Sequence, residues 1–277
     1  INHEQQITPV VQTMSVNAQL VGLNENITIE LPIRTVLWKT LNWKAIVAEM
    51  IATGLLVALG CMTCIPIDGF ANNPPLYGPL GFGLIVTFNI QAFGHISGAH
   101  MNPVITWAAM IWGQISVFLG IAYIIAQCLG AIMGYGILVA LSPPGFISSG
   151  VCTTTPLLRY SVYQAIGIEV ILTAALVFIT CALWDPVNKD FQESSSIKCG
   201  LIVVGLSLAG GPLTGASMNP ARSLGPALWT FTWKSHWIYW LGPFLGATLA
   251  ASFYKLVWLK VETVKPDILK CRQLFDH

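Results

Sequence analysis

The sequence predicts an all-α membrane protein in which two inverted repeats supply six membrane-spanning helices and two half-helices. Three observations predict this fold. Hydrophobic residues make up 55% of the 277-residue chain and charged residues only 9%. Apolar runs long enough to cross a bilayer recur along the chain. The pattern Gly-Ala-x-Met-Asn-Pro occurs once in each half, at 98–103 and 215–220.

The apolar runs and the connectors between them define the elements in order. The predicted full spans are residues 43–64, 76–96, 115–141, 161–184, 197–213 and 237–257. A loop at 65–75, a polar connector at 142–159 and a short charged loop at 185–196 separate them. Residues 1–42 and 260–277 are predicted to be tails that flank a membrane domain at 43–259, with repeats at about 43–141 and 161–259.

Two half-helices are predicted where the repeated pattern ends. Asn102 and Asn219 suit the capping position, and the proline after each suits the first helical residue. The apolar runs that follow end near Trp112 and Phe231. At about 1.5 Å per residue, each covers roughly half of a ~30 Å hydrocarbon core. Two such helices that meet Asn to Asn would together make one span.

The two halves share the order span, span, half-helix, span, with Glu49 or Glu169 inside the first span. Because each half has three full spans, the second half enters the membrane from the opposite side, which makes the repeat inverted. Ten Lys and Arg residues lie near the span ends on the side of both termini, against two on the other side. Both termini are therefore predicted to be cytosolic.

The turns before Asn102 and Asn219 predict a water-filled path, because irregular backbone at membrane depth must be buried in protein or line a polar cavity. The side-chain amides of the two asparagines would both donate to one solute oxygen. Each half-helix directs about half a positive charge at the same point, which opposes cations. Backbone carbonyls would form a ladder of acceptors along the path. The predicted ladder consists of Gly98, Ala99, His100, Gly215, Ala216 and Ser217.

Three charged residues lie within the apolar core. Glu49 and Glu169 would be costly facing lipid, so we expect them to face inward and accept hydrogen bonds from the turns. A proton relay is the alternative role. Arg222 lies in the first turn of the second half-helix and is expected to face the pore wall, with acceptors among residues 215–217.

Composition and motifs argue against other classes of protein. The net charge is +1 and no basic patch alternates with aromatic residues, so we expect no nucleic-acid partner. No catalytic or metal-ligand constellation stands out, and we expect no enzyme activity, metal or cofactor. Seven cysteines include one Cys-x-x-Cys pair, Cys61 and Cys64, which we expect to be small apolar packing residues. A coupled transporter also fits an inverted repeat, but it would need an ion site or titratable relay at the midplane.

The residues at 94–103 and 217–223, with the two buried Glu, resemble the aquaporin or major intrinsic protein family across nearly all of 43–259. The resemblance implies a passive channel for water or small neutral solutes, with a pore in each monomer of a homotetramer, and we expect it in the plasma membrane. The first signature has Val104 where the family usually has Ala. The two signatures are Asn102, Pro103 and Val104, and Asn219, Pro220 and Ala221.

The resemblance also implies a constriction formed by four residues, which are Phe82, Ser207, Ala216 and Arg222. Water-selective members usually have His where Ser207 stands, so a Ser beside Ala216 widens the opening and favours glycerol and urea. Ser223 in place of the Asp of glycerol facilitators, and the pair Tyr239-Trp240, instead resemble water channels. Together with Asn-Pro-Val, the combination is similar to the insect entomoglyceroporin branch; a water-selective channel is the alternative.

Overall fold

The computed structural model describes residues 14–15, 28–29, 42–67 and 73–259, which belong to two units, 1–41 and 42–277. In the first unit, strands β1 (Met14–Ser15) and β2 (Thr28–Ile29) pair antiparallel, with Met14 opposite Ile29. The rest of the predicted tail before residue 42, and the predicted tail at 260–277, lie outside the described residues.

The described part of the second unit is helical. Its helices are α1 (Trp43–Met62), α2 (Tyr77–Ser97), α3 (Pro103–Trp112), α4 (Val117–Leu141), α5 (Val162–Trp184), α6 (Ser195–Thr214), α7 (Pro220–Thr230) and α8 (Ile238–Phe253). A 3₁₀ helix (Pro186–Ser194) precedes α6, and a π-helical turn (Tyr254–Trp258) continues α8.

The predicted arrangement of six spans and two half-helices is confirmed. Within the described residues, α1, α2, α4, α5 and α6 are long and apolar enough to cross a membrane. The sixth, α8, has 16 α-helical residues, and the π-helical turn carries it on to Trp258. The half-helices α3 and α7 have 10 and 11 residues and follow their capping asparagines as predicted.

One predicted loop is wrong. Residues 186–194 form the 3₁₀ helix rather than a charged loop, and α6 begins at Ser195. The Asp185 carboxylate accepts the backbone N–H of Val187 at 3.0 Å, and the Asn188 side-chain amide donates to the Ala182 carbonyl at 2.7 Å. Polar side chains thus organise this segment locally, which a search for apolar runs does not detect.

The helices pair in the same way in both repeats, α1 against α4 and α5 against α8. Glycines let the paired backbones touch. A β-carbon on Gly134 would collide with the Gly54 carbonyl of α1, and one on Gly246 would collide with the Val170 carbonyl of α5. Small residues at such crossings are typical of helix packing in membranes.

Each half-helix packs beside the turn of the opposite repeat. Val104, fully buried at the start of α3, belongs to one apolar cluster with Ala216 and Met218. Ala221, fully buried at the start of α7, belongs to another with Ala99 and Met101. The residue after each Asn-Pro therefore helps to bury the other turn, which joins the two repeats at the centre of the bundle.

Candidate functional site

The turns before the two half-helices have the same backbone conformation. Gly98 and Gly215 end α2 and α6 with φ values of 90° and 86°. Alanine and methionine then adopt left-handed conformations in both turns, with φ between 43° and 52° at Ala99, Met101, Ala216 and Met218. Each such residue costs about 1 kcal/mol, so other contacts must hold the turns in place.

Glu49 supplies those contacts for the first turn. Its Oε1 accepts from the Ser97 hydroxyl at 2.7 Å and the His100 backbone N–H at 2.8 Å. Its Oε2 accepts from the Met101 backbone N–H and the Gln127 side-chain amide, both at 2.8 Å. The side chain is fully buried, and four donors replace the water that its carboxylate loses.

Glu169 holds the second turn in the equivalent way. It accepts from the Thr214 hydroxyl at 2.7 Å, the Ser217 backbone N–H at 3.0 Å and the Met218 backbone N–H at 2.9 Å. The position equivalent to Gln127 in the second repeat is Pro243, because each lies one helical turn after a tyrosine, Tyr123 or Tyr239. Proline has no side-chain donor. The second carboxylate therefore has one bond fewer than the first.

Two tyrosines reinforce the turns, a role that was not predicted. Tyr239 was noted in the sequence only as part of the pair Tyr239-Trp240, and Tyr123 was not noted. Tyr123 donates its hydroxyl to the Ser97 carbonyl at 3.0 Å, and Tyr239 donates to the Thr214 carbonyl at 2.6 Å. Both are almost fully buried. The repeat carried a signal for them, since Tyr123 follows Pro103 by 20 residues and Tyr239 follows Pro220 by 19.

Asn102 and Asn219 bond across the junction. Each side-chain oxygen caps its own helix, accepting from Val104 at 3.1 Å and from Ala221 at 3.0 Å. Each side-chain amide donates to the opposite turn, Asn102 to the Met218 carbonyl and Asn219 to the Met101 carbonyl, both at 2.8 Å. One N–H of each amide is therefore engaged by protein, which leaves the second N–H available as a donor.

A cavity of about 830 Å³ follows these residues through the bundle. Its lining includes Gly78 near the start of α2 and Ser195 at the start of α6. The helices α2 and α6 run antiparallel, since the Ser196 hydroxyl at the start of α6 donates to the Gln91 side chain in the second half of α2 at 3.4 Å. Gly78 and Ser195 therefore lie at opposite ends of the cavity. The predicted residues that line the cavity are Phe82, Gly98, Ala99, His100, Asn102, Ser207, Gly215, Ala216, Ser217, Asn219 and Arg222.

Six predicted residues lie behind the wall of this cavity. They are Glu49, Pro103, Val104, Glu169, Pro220 and Ala221, which are absent from its lining. Both carboxylates therefore bind the back of the turns, where their partners are hydroxyl, amide and backbone N–H groups. That position suits a structural role better than a proton relay along the cavity.

Arg222 links three parts of the molecule at the predicted constriction. Its guanidinium carbon lies 4.8 Å from the centre of the Phe82 ring, and its Nη1 donates to the Cys152 carbonyl at 2.7 Å. The prediction of acceptors at residues 215–217 is thus wrong. The connector between α4 and α5 folds back over the bundle and supplies the acceptor, a long-range contact that local sequence cannot reveal.

Two cysteines form a disulfide rather than simple packing contacts. Cys61 at the end of α1 is bonded to Cys152 of the connector, with their Cα atoms 5.4 Å apart. The expectation of a packing residue is therefore wrong for Cys61, whereas Cys64 is free. Disulfide connectivity cannot be deduced from sequence. The free cysteines of the described residues are Cys64, Cys128, Cys181 and Cys199.

Comparisons with known proteins agree with this architecture. The family description "Major intrinsic protein" matches residues 36–254. Aquaporin-4 of Mus musculus is 41% identical over 240 residues, which covers 86% of this chain and 72% of that protein. Aquaporin-1 of Homo sapiens is 38% identical over 231 residues, covering 79% and 83%.

A solved structure is also similar. The aquaglyceroporin from Plasmodium falciparum has a TM-score of 0.70 and 25% sequence identity, covering 78% of this chain and 96% of that one. The family match over residues 36–254 includes both half-helices. The chain therefore belongs to the major intrinsic protein family of integral membrane channels, which are passive channels and not enzymes.

Proposed function

We propose that this chain is a passive channel for water, glycerol and urea that excludes protons and ions. The residue composition of the constriction is the observation that best supports this proposal. Ser207 and Ala216, both small, line the same cavity as Arg222 and Phe82. Small side chains at two of four positions leave room for a three-carbon polyol.

The chemistry of the constriction also suits glycerol. Arg222 offers guanidinium N–H donors to hydroxyl oxygens, while the Phe82 ring beside it offers an apolar surface to the carbon backbone. A Ser at position 207 adds a hydroxyl that both donates and accepts, in a smaller volume than an imidazole. Urea, which is small, neutral and rich in hydrogen-bonding groups, fits the same surroundings.

Beyond the constriction, the turns supply the rest of the path. We assign the carbonyls of residues 98–100 and 215–217 as successive acceptors for solute hydroxyls. The free N–H groups of Asn102 and Asn219 then donate to a solute oxygen at the junction. A neutral molecule can thus exchange its water partners for protein partners along the cavity.

Ions meet an electrostatic barrier in the same place. α3 and α7 both begin at the junction, where each N-terminus contributes about half a positive charge, and Arg222 adds a full charge at the constriction. The carboxylates of Glu49 and Glu169 bind the turns from behind and do not line the path. Cations and protons are therefore opposed, whereas neutral solutes are not.

We assign the channel to residues 43–259, the tails to the cytosol, and the assembly to a homotetramer in the plasma membrane. The excess of Lys and Arg near the predicted inner ends supports this orientation. The disulfide supports it independently, since Cys152 lies in a connector assigned to the outside, where disulfides persist.

A water-selective channel is the second candidate. The relatives named aquaporin-4 and aquaporin-1 favour it. So does Ser223, a neutral residue whose hydroxyl lies 2.6 Å from the Ser217 hydroxyl and accepts from Thr154 at 2.8 Å. The similarity to a structure named as an aquaglyceroporin, and Ser207 at the constriction, favour the wider channel.

Reconstituted vesicles separate the two candidates. Vesicles with the protein, placed in a glycerol gradient, should first shrink faster than empty vesicles as water leaves. They should then re-swell faster as glycerol enters. Faster shrinkage followed by re-swelling at the rate of empty vesicles would leave the water-selective channel as the function.

A further inference from the structure

The disulfide is part of a closed ring of contacts around the predicted constriction. Cys61 is bonded to Cys152, whose carbonyl accepts from Arg222. The guanidinium of Arg222 lies over the Phe82 ring, and that ring packs against Gly60, the neighbour of Cys61. The last turn of α1 thus supports both the aromatic and the charged side of the constriction.

Cys152 has a backbone conformation that needs support. Its φ is 68°, in the left-handed region that a cysteine rarely adopts. This conformation contributes to the direction of the carbonyl that accepts from Arg222. The covalent bond to the fully buried Cys61 fixes the side chain of the same residue.

Neighbouring contacts anchor the connector on both sides of Cys152. The Val151 carbonyl accepts from the Tyr135 hydroxyl at 2.8 Å, and the Thr154 hydroxyl donates to Ser223 at 2.8 Å. These bonds keep the connector over the bundle when the disulfide is absent. Loss of the disulfide should therefore free Cys152 locally and leave the overall fold in place.

We propose that the Cys61–Cys152 disulfide is a positioning device for Arg222, so that its oxidation state sets how readily glycerol passes the constriction. This inference rests on the proposed function for its glycerol readout. With the bond intact, Cys152 holds the guanidinium against the cavity wall. With the bond broken, the Cys152 backbone relaxes, its carbonyl turns away, and the long Arg222 side chain occupies part of the lumen.

The switching step is a two-electron reduction. An external reductant such as a phosphine attacks one sulfur and breaks the S–S bond. Water then supplies the oxygen of the phosphine oxide and the protons of the two thiols. A mild oxidant such as diamide removes the same two electrons and protons and restores the disulfide. The channel itself supplies no electrons.

The test uses the full-length protein in vesicles, with water and glycerol permeability measured before reduction, after tris(2-carboxyethyl)phosphine and after re-oxidation. Alkylation and mass spectrometry report the fraction of intact Cys61–Cys152 bond. We expect reduction to lower glycerol permeability by about tenfold, the equivalent of one charged hydrogen bond, and water permeability by about twofold. Re-oxidation should restore both.

Variants check the assignment to this bond. Cys61→Ser and Cys152→Ser should behave like the reduced channel and should no longer respond to phosphine. Cys128→Ala, which removes a free cysteine of α4, should respond like the unmodified chain. If the serine variants do not reach the membrane, the reduction and re-oxidation cycle on the unmodified protein decides the question.

Two outcomes would overturn the inference. One is unchanged permeability to both solutes after mass spectrometry shows that the bond is lost. The other is an equal fall for both solutes that re-oxidation does not reverse, which would indicate general damage. If the oxidised channel passes no glycerol, the proposed function fails instead. In that case the positioning role of the disulfide is tested by water permeability alone, which should fall about twofold on reduction and recover on re-oxidation.

Discussion

Asn102 and Asn219 each donate a side-chain N–H to the turn of the opposite repeat, at 2.8 Å to the Met218 and Met101 carbonyls. The two residues thus cap their own half-helices and lock the two repeats together. This double role explains why Asn is suited to the position, since it provides an acceptor for the cap and two donors.

Replacing Asn102 with Asp tests this link. The carboxylate keeps the cap but has no N–H for the Met218 carbonyl, so two acceptors face each other in a buried site. We expect a loss of about 2 kcal/mol or more in stability, measured by thermal unfolding in detergent. Asn73→Asp is the control, because Asn73 also donates to a backbone carbonyl but in a partly buried loop. Equal effects of the two substitutions would contradict the cross-junction role.

The two buried glutamates should differ in importance. Glu49→Gln places an amide among four donors, whereas Glu169→Gln places one among three. Each new N–H that faces a donor leaves buried groups unpaired, at about 1–3 kcal/mol apiece. We expect both variants to unfold at lower temperature, with Glu49→Gln the less stable. The reverse order would show that the number of bonds does not decide the effect.

Gly60→Ala tests whether the Phe82 ring borders the path. A β-carbon at residue 60 would lie 2.5 to 2.9 Å from three atoms of that ring, so the ring must move toward the cavity. We expect glycerol permeability to fall by about tenfold, the equivalent of a typical overpacking cost, and water permeability to fall less. Gly205→Ala, where a β-carbon meets no atom within 4 Å, is the matched control. Unchanged glycerol flux in Gly60→Ala would remove Phe82 from the constriction.

Ser207→His tests the width of the constriction at a second of its residues. An imidazole fills the space that the hydroxymethyl group leaves beside Ala216. We expect glycerol permeability to fall by roughly tenfold or more, while water permeability stays largely intact. Ser207→Cys, which is close in size to the original, should retain glycerol flux. Stopped-flow light scattering measures both solutes, and a glycerol flux that survives the His substitution would count against this position.

Much of the fold could be predicted because a bilayer leaves few choices. Apolar runs, Asn-Pro caps and the order of elements in each half were sufficient for the spans and half-helices. The 3₁₀ helix at Pro186–Ser194 was missed because short polar side-chain contacts, such as Asp185 to Val187, determine it.

The residues of the candidate site could be identified more readily than their contacts. Asn102, Asn219 and Arg222 line one cavity, as their places in and just after the repeated pattern suggest. The crossing of the asparagine amides, the Cys152 acceptor for Arg222 and the Cys61–Cys152 bond depend on segments far apart in the chain. Local sequence carries no information on how such segments meet.

In the proposed channel, one path through the junction of the half-helices admits neutral solutes and rejects ions. Both properties can be measured on a single preparation of reconstituted vesicles, as the permeability to water, to glycerol and to protons. We expect water and glycerol to cross much faster than in protein-free vesicles while the proton leak stays at the protein-free level. A proton leak that rises with the amount of protein, or vesicles that gain permeability to neither neutral solute, would contradict this proposal.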